Sequence, residues 1–299
     1  MVKVEKTDVV VVTYNRLSLL KECLESLLSQ GDNIGNIFVI DNNSSDGTSN
    51  YLNDLKNEKI KSETLTTNIG GAAGFEYGIN KATVEGKGQY IWIMDDDTIP
   101  QKNALSNLIK SAHELDNKFG FIGSNVRWID GTPINVATPT NDWPERTDLN
   151  LIKVKTATFV SILVKKDTVK LLGLPLGEMQ IWGDDTEYTS RLSHNNPCYL
   201  SLNSQVIHKT SKSVTSEDLK NTDPDRLWRY KCSFRNGIYT NRKYNSKKKT
   251  LKNAIINVTK GFKAIKAKNK KMTRLGIALE GTLEGFFFNP KIKFPKDKY

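Results

Sequence analysis

Gln89-Tyr-Ile-Trp-Ile-Met-Asp-Asp-Asp97 decides the fold. An apolar run of this kind must be covered on both faces, so it reads as a central strand of a parallel sheet. In open α/β sheets, ligands bind beyond the carboxyl ends of such strands, which is where Asp95, Asp96 and Asp97 stand. Three like charges this close raise one another's pKa, so the cluster is costly without a cation. A hard divalent metal bridging to substrate phosphates satisfies it. A solvated acidic turn is the plain alternative, since Asp is common there and at helix starts. Three acids in a row favour the metal.

Upstream, the pattern repeats. Asp8-Val-Val-Val-Val-Thr13 is a continuous β-branched run, and Ser18 precedes a helix with Leu19, Leu20, Leu24, Leu27 and Leu28 on one face. Asn36–Ile40 is the next strand, followed by Asp41, a turn-rich segment and a helix carrying Tyr51, Leu52 and Leu55. A short strand near 60–66 leads to Asn68-Ile-Gly-Gly-Ala-Ala-Gly-Phe75 and a helix to about Thr83. Strand and helix alternating in this way predict an α/β, doubly wound sheet with right-handed crossovers. Downstream, the sequence predicts a helix over 102–116, a strand over Phe119–Trp128 and a long loop over 130–150. It then predicts one strand over Thr156–Val164, a loop over 171–180, a helix from Ile181 through Leu192, and short strands at Cys198–Leu202 and Gln205–His208. From about residue 220 the period is helical. These readings divide the chain into a catalytic domain, 1–215, and a helical, basic region, 216–299.

Composition bounds the rest. The 299 residues are 37% hydrophobic and 26% charged, ordinary for a globular chain. No stretch approaches the roughly 18 apolar residues of a membrane span, and no leader pattern is visible at the N-terminus. Cys23, Cys198 and Cys232 are scattered and not in metal-ligand spacing, which suits reduced thiols of a cytoplasmic protein. Residues 241–275 hold thirteen Lys or Arg and no acid, so against a net +11 the remainder sums to −2.

Several residues stay open when taken singly. Gly70, Gly71 and Gly74 open a helix, where backbone N–H groups can approach an anion, or they form only a tight turn. Asp41 and Thr13 close strands, as ligand contacts or as caps. Asp184, Asp185 and Glu187 follow Trp182. Helical spacing puts Asp184, Glu187 and Arg191 on one face as an ion-pair set, leaving Asp185 to project toward a cleft as a candidate general base. Acid enrichment at a helix start is the alternative. Of the histidines, His113 and His194 sit in polar surroundings and read as solvated, whereas His208 ends an apolar strand.

Four motifs in order carry a family resemblance: Val-Val-Thr-Tyr-Asn-Arg (11–16), Val-Ile-Asp-Asn-Asn-Ser-Ser-Asp-Gly-Thr (39–48), Asn-Ile-Gly-Gly-Ala-Ala-Gly-Phe (68–75) and Met-Asp-Asp-Asp (94–97). Over about residues 6–210 the chain resembles the inverting, nucleotide-sugar-dependent glycosyltransferases of family 2. The 68–75 and 182–187 motifs look most like the galactofuranosyltransferase branch, with the dTDP-rhamnose-using branch as neighbour. The resemblance implies a GT-A fold, a mixed sheet of Rossmann-like character with a C-terminal helical extension. It also implies site roles. Thr13, Arg16 and Asp41 surround the nucleotide, with Asp41 on the uracil. Asn68, Gly70 and Gly71 face the sugar-diphosphate, with Asp95 and Asp96 at the donor. Asp95, Asp97 and His208 hold Mn²⁺ or Mg²⁺. Asp185 is the base, with Trp182 and Asp184 at the acceptor. Trp182-Gly183 departs from the expected Trp-Asp-Asp, which keeps Asp184 as the fallback base. The implied partners are a UDP-sugar and a glycan or lipid-linked glycan acceptor, reached in the cytoplasm or at the inner face of the membrane. The basic stripe at Leu251, Ala254, Ile255, Val258, Phe262 and Ile265 reads either as an anionic-membrane helix or as core packing. Nucleic acid is not expected, because the charge is confined to one end and no nucleic-acid module accompanies it. A non-catalytic sugar-nucleotide binding protein is the remaining alternative.

Overall fold

The computed structural model describes residues 5–210 and 218–296. In chain order the elements are β1 (Thr7–Thr13), α1 (Leu17–Leu28), β2 (Ile34–Asp41), α2 (Thr48–Asp54), β3 (Ile60–Thr64), α3 (Gly71–Glu85), β4 (Tyr90–Asp95), β5 (Thr98–Pro100) and α4 (Ala104–Glu114). There follow β6 (Phe121–Arg127), β7 (Thr138–Pro139), β8 (Leu151–Thr156), β9 (Ile162–Lys165), α5 (Lys166–Leu172), α6 (Asp184–Asn195), β10 (Cys198–His208), α7 (Leu227–Tyr244), α8 (Lys247–Ala264) and α9 (Lys271–Phe287). The strands form one sheet in the order β3-β2-β1-β4-β9-β6-β10-β8-β7, with β5 paired to β10. The β3, β2, β1 and β4 ladders are parallel, whereas β9 runs antiparallel to both its neighbours. The sheet is therefore mixed, as the resemblance implies.

Alternation along the central strands explains the two helical layers. Val9, Val11, Trp92 and Met94 pack on one face with α1 and α4. Val10, Ile91 and Ile93 pack on the other with α3 and α6. On that second face α3 lies unusually close, because a Cβ at Gly78 would stand 2.6 Å from Val10 Cγ1 and one at Gly74 2.8 Å from Val12 Cγ1. Those two glycines serve helix–sheet packing. Trp92 is fully buried, with its Nε1 donating to Ser161 Oγ at 2.8 Å.

Three expectations are corrected. The strand expected over Thr156–Val164 forms only from Ile162, in β9: β8 ends at Thr156, and Thr189 of α6 bonds both backbone groups of Ala157 (3.3 and 3.2 Å), taking the chain out of the ladder between them. The helix expected from Ile181 begins at Asp184. Before it, Gln180, Trp182 and Gly183 all have positive φ (+64°, +58° and +105°), which no helix accommodates. Cys198–His208 is one strand with a register shift between Ser201 and Gln205, not two. The expected boundary at 215/216 lies outside the described residues. On either side of it the chain is tightly joined: Leu174 N–H donates to Lys293 O at 2.8 Å, and Asn80 and Lys296 exchange side chain-to-backbone hydrogen bonds.

Candidate active site

The parallel register brings the site together. Val12 pairs with Asp95 and Thr13 with Asp41, so β1, β2 and β4 deliver their last residues to one carboxyl edge. β4 stops at Asp95, the chain turns through Asp96 and Asp97, and β5 then pairs back on the end of β10, with Thr98 opposite His208. A residue more than a hundred positions away thus joins the acidic turn. Asp95, Asp97 and His208 each offer a ligand atom, all within 4.8 Å of one another.

Whether these residues suit a divalent cation is decided by His208. Its Nδ1 lies 2.9 Å from Asn135 Oδ1, an acceptor, so Nδ1 carries the proton. Nε2 then points at Asp97 Oδ1, 3.0 Å away, and that oxygen has no hydrogen-bond partner. With a proton on Nε2 the two form an ion pair, and without it two lone pairs converge where a divalent ion can take the proton's place. The donor set fits. Burial first, then the Asp97 charge, pushes Asp95 up to about 7. Burial likewise takes Asp96 up to about 6. Burial opposes the charge on Asp97 as well, yet His208 and Arg16 outweigh it and hold Asp97 below the usual carboxylate range.

Other predicted residues fall around this centre in different ways. Asp96 turns away from the triad and accepts from Thr13 Oγ1 at 2.7 Å. Arg16 spans Asp96 Oδ1 (3.2 Å) and Asp97 Oδ2 (2.5 Å) with a half-exposed side chain, so in this structure it neutralises the acids. Asp41 is 0% exposed, and its oxygens accept from Ser44 N–H (3.0 Å) and Thr64 Oγ1 (3.1 Å), which holds the loop after β2. Asn68 Oδ1 accepts the Gly70 N–H at 2.9 Å, and Gly70 has φ +86°. A Cβ there would meet Gln180 O at 2.9 Å, whereas one on Gly71 would meet nothing within 4 Å. Gly71, the first residue of α3, therefore leaves open space at a helix N-terminus.

Across from the acidic turn, α6 starts with Asp184 and Asp185. Asp184 is 7% exposed. Burial, then Asp185, then the nearby Asp95 charge lift its pKa well above the usual range. Asp185 is half-buried, with one oxygen accepting from Thr186 N–H (2.6 Å) and Thr186 Oγ1 (3.2 Å). Its pKa is also raised, by burial against those hydrogen bonds. The expected ion-pair set is realised without Asp184: Arg191 grips Glu187 through Nε and Nη2 (3.2 and 2.6 Å), and Tyr244 Oη adds a bond at 2.6 Å.

Two residues of the site were not anticipated. Asn135 orients His208, hidden in a loop where Asn is ordinary. Asn236 of α7 is fully buried, and its Nδ2 faces the carbonyls of Met179 (2.9 Å), Ile181 (3.3 Å) and Trp182 (2.9 Å). That amide clamps the strained run before Asp184, the kind of backbone that persists only when its surroundings over-determine it. Asn236→Ala should lower stability by about 1–3 kcal/mol and depress turnover more than donor binding. Thermal unfolding beside single-turnover assays checks it.

Comparison with known proteins follows this geometry. Residues 8–161 match the family described as glycosyl transferase family 2. The chain belongs to that family. This member of family 2 is 29% identical over 208 residues to galactofuranosyltransferase GlfT1 of Mycolicibacterium smegmatis, covering 64% of the chain and 67% of that protein. Its structure is similar to TarS residues 1–349 of S. aureus (TM-score 0.56, 16% identity, 94% of this chain and 72% of that one). It is also similar to GalNAc-T7, solved with UDP, GalNAc and Mn²⁺ (TM-score 0.63, 16% identity, 96% and 57%). The chain is thus a glycosyltransferase with the GT-A fold, and no helix among its described residues is long and apolar enough to cross a membrane.

Proposed function

We propose that this enzyme moves a sugar from a nucleoside diphosphate donor, UDP-galactofuranose first among candidates, to a hydroxyl of a cell-surface or capsular glycan, with inversion. The observation that carries the reading is the triad of Asp95, Asp97 and His208 facing a second acidic pair on α6. Asp95, Asp97 and His208 would hold Mn²⁺ or Mg²⁺, whose charge when bound offsets that developing on the departing diphosphate. Arg16 exchanges its carboxylate contacts for donor phosphate, and the open helix start at Gly71 faces the same group. Thr13 fixes Asp96, Asp41 shapes the nucleotide loop, and Asn68 holds Gly70 in place. Asp185, the more exposed of the pair, takes the acceptor proton, and the more deeply buried Asp184 supports it. One base acting from one side of the donor suits a single displacement. The relative in M. smegmatis is named for galactofuranose, which supports that donor. The test is a panel including UDP-galactofuranose and dTDP-rhamnose, scored by release of UDP or dTDP. Preferential turnover of the first is expected, and turnover of neither contradicts the reading.

We further propose that the cytoplasmic enzyme works against an anionic membrane, with the helical region as a second domain. The core face of α8 is made of Ala254, Asn257, Gly261 and Ala264, so tightly set that a Cβ on Gly261 would stand 2.7 Å from Ala278 Cβ. The sequence stripe is therefore divided. Ala254 is buried, while Leu251, Ile255 and Phe262 stay 60%, 59% and 57% exposed among lysines. Arg274 leaves the basic surface entirely, donating inward to Leu219 O at 2.6 Å. Exposed apolar groups among cations suit an anionic lipid surface, where each Lys or Arg contributes about 1 kcal/mol. Replacing Leu251, Ile255 and Phe262 by Ser should cut sedimentation with phosphatidylserine vesicles about tenfold or more while leaving thermal unfolding unchanged. Equal sedimentation of the variant contradicts it.

A further inference from the structure

Behind the acceptor side of the site lies a second cleft, of about 300 Å³, between α6 and α7. Thr186 and Ser190 line it from α6, Ser233, Thr240 and Asn241 from α7, and Trp182 from the strained loop. None of its ten lining residues carries a charge, although α7 bears Arg229, Lys231, Arg235, Arg242 and Lys243. The volume is at the lower end of small-ligand sites, roughly 300–1,000 Å³. The wall supplies no countercharge for a phosphate, a carboxylate or a lipid headgroup. Hydroxyls that both donate and accept, and amides that do each at one end, match a neutral polyol instead. Trp182 adds an aromatic surface held edge-on by Tyr230, with ring centroids 5.2 Å apart, suited to the C–H face of a sugar ring.

A second observation points to a ligand. Thr240 is 5% exposed, and its Oγ1 is buried without a hydrogen-bond partner among the described residues. An orphaned hydroxyl costs free energy that a partner would offset, and natural structures hold few of them. The cleft is also tied to the chemistry. Thr186, on its wall, holds Asp185 Oδ1 through both its N–H and its hydroxyl. Thr186 thus adjoins both the cleft and Asp185.

We propose that this cleft binds the neutral sugar next to the acceptor residue, so that the enzyme reads at least two sugars of its acceptor and draws much of its acceptor specificity from α7. The proposal rests on the reading of the chain as a transferase with a nucleoside diphosphate donor, and its test separates the two. An array of neutral and acidic oligosaccharides is probed with the full-length chain in UDP and Mn²⁺, and retained glycans are re-titrated against T240V and S233Y. Retention of neutral di- or oligosaccharides over the matching monosaccharides is expected. T240V should weaken binding about fivefold with no loss of thermal stability, since the hydroxyl it removes has no partner. S233Y, which fills the cleft, should abolish retention, and both variants should bind UDP with Mn²⁺ as the wild type does. Equal retention by S233Y, a preference for acidic glycans, or no neutral glycan retained overturns the proposal. Failure of UDP binding in the wild type, with glycan retention intact, overturns the donor reading and leaves the cleft standing.

Discussion

Replacing Asp97 with alanine is expected to abolish metal-dependent donor binding and to reduce turnover by three orders of magnitude or more. The reason is positional. Asp97 is 2% exposed and meets His208 at 3.0 Å and Arg16 at 2.5 Å, so its loss removes the charge that gathers both. Losing one ligand of three leaves Asp95 and His208 too few to hold a hard cation that prefers six oxygen-rich positions. The same site predicts a pH effect whose sign is set by its protons. Asp95 is protonated below about 7 in the metal-free protein, and Asp97 pulls the His208 pKa upward against its burial. A divalent ion must displace those protons, so Mn²⁺ affinity should fall below pH 7 by about tenfold per unit for each proton released. Titrations of Mn²⁺ at pH 6 and pH 8 read this directly, and an affinity independent of pH contradicts the assignment.

Replacing Asp185 with asparagine should lower turnover about 10²–10⁴-fold, the usual contribution of a general base, while UDP and metal binding survive. Asparagine keeps the shape and can still accept from Thr186, so the start of α6 is preserved. Asp184→Asn is the informative contrast. Burial and the Asp185 charge already disfavour a charge on Asp184, so a neutral amide there is expected to change less than one at Asp185. A dead Asp184→Asn beside an active Asp185→Asn would reverse the two roles. Near-normal turnover in both would make the pair ordinary helix-start acids. Single-turnover rates with donor saturating distinguish these results.

Much of this site is legible in the residues because the sheet is built from local patterns. The β1, β2 and β4 runs declare themselves as buried strands, and a parallel register then obliges Thr13, Asp41 and Asp95 to share an edge. His208 is legible only as a histidine ending a strand. What brings it to Asp97 is the β5–β10 pairing, a long-range contact that three residues of strand scarcely announce. Asn236 acts through backbone carbonyls more than fifty positions away, and nothing in an amphipathic helix marks one asparagine as a clamp. The break between β8 and β9 escapes periodicity because Ala157-Thr-Phe-Val-Ser161 reads as strand-forming and the interruption comes from Thr189. In α8 the core face is Thr250, Ala254, Asn257, Gly261 and Ala264, small or polar residues that hydrophobic periodicity passes over in favour of the bulkier Leu251, Ile255 and Phe262 that remain outside. Sequence patterns weigh size and greasiness, whereas close helix packing is made by residues with little of either.

The most direct test of the account is a calorimetric titration of UDP into the wild-type chain at pH 8, with Mn²⁺ and again in excess chelator. Strong binding with Mn²⁺ that disappears in chelator, and that Asp97→Ala fails to recover when Mn²⁺ is returned, is the predicted result. UDP binding of equal strength in chelator would show that Asp95, Asp97 and His208 are not a metal centre for the donor diphosphate.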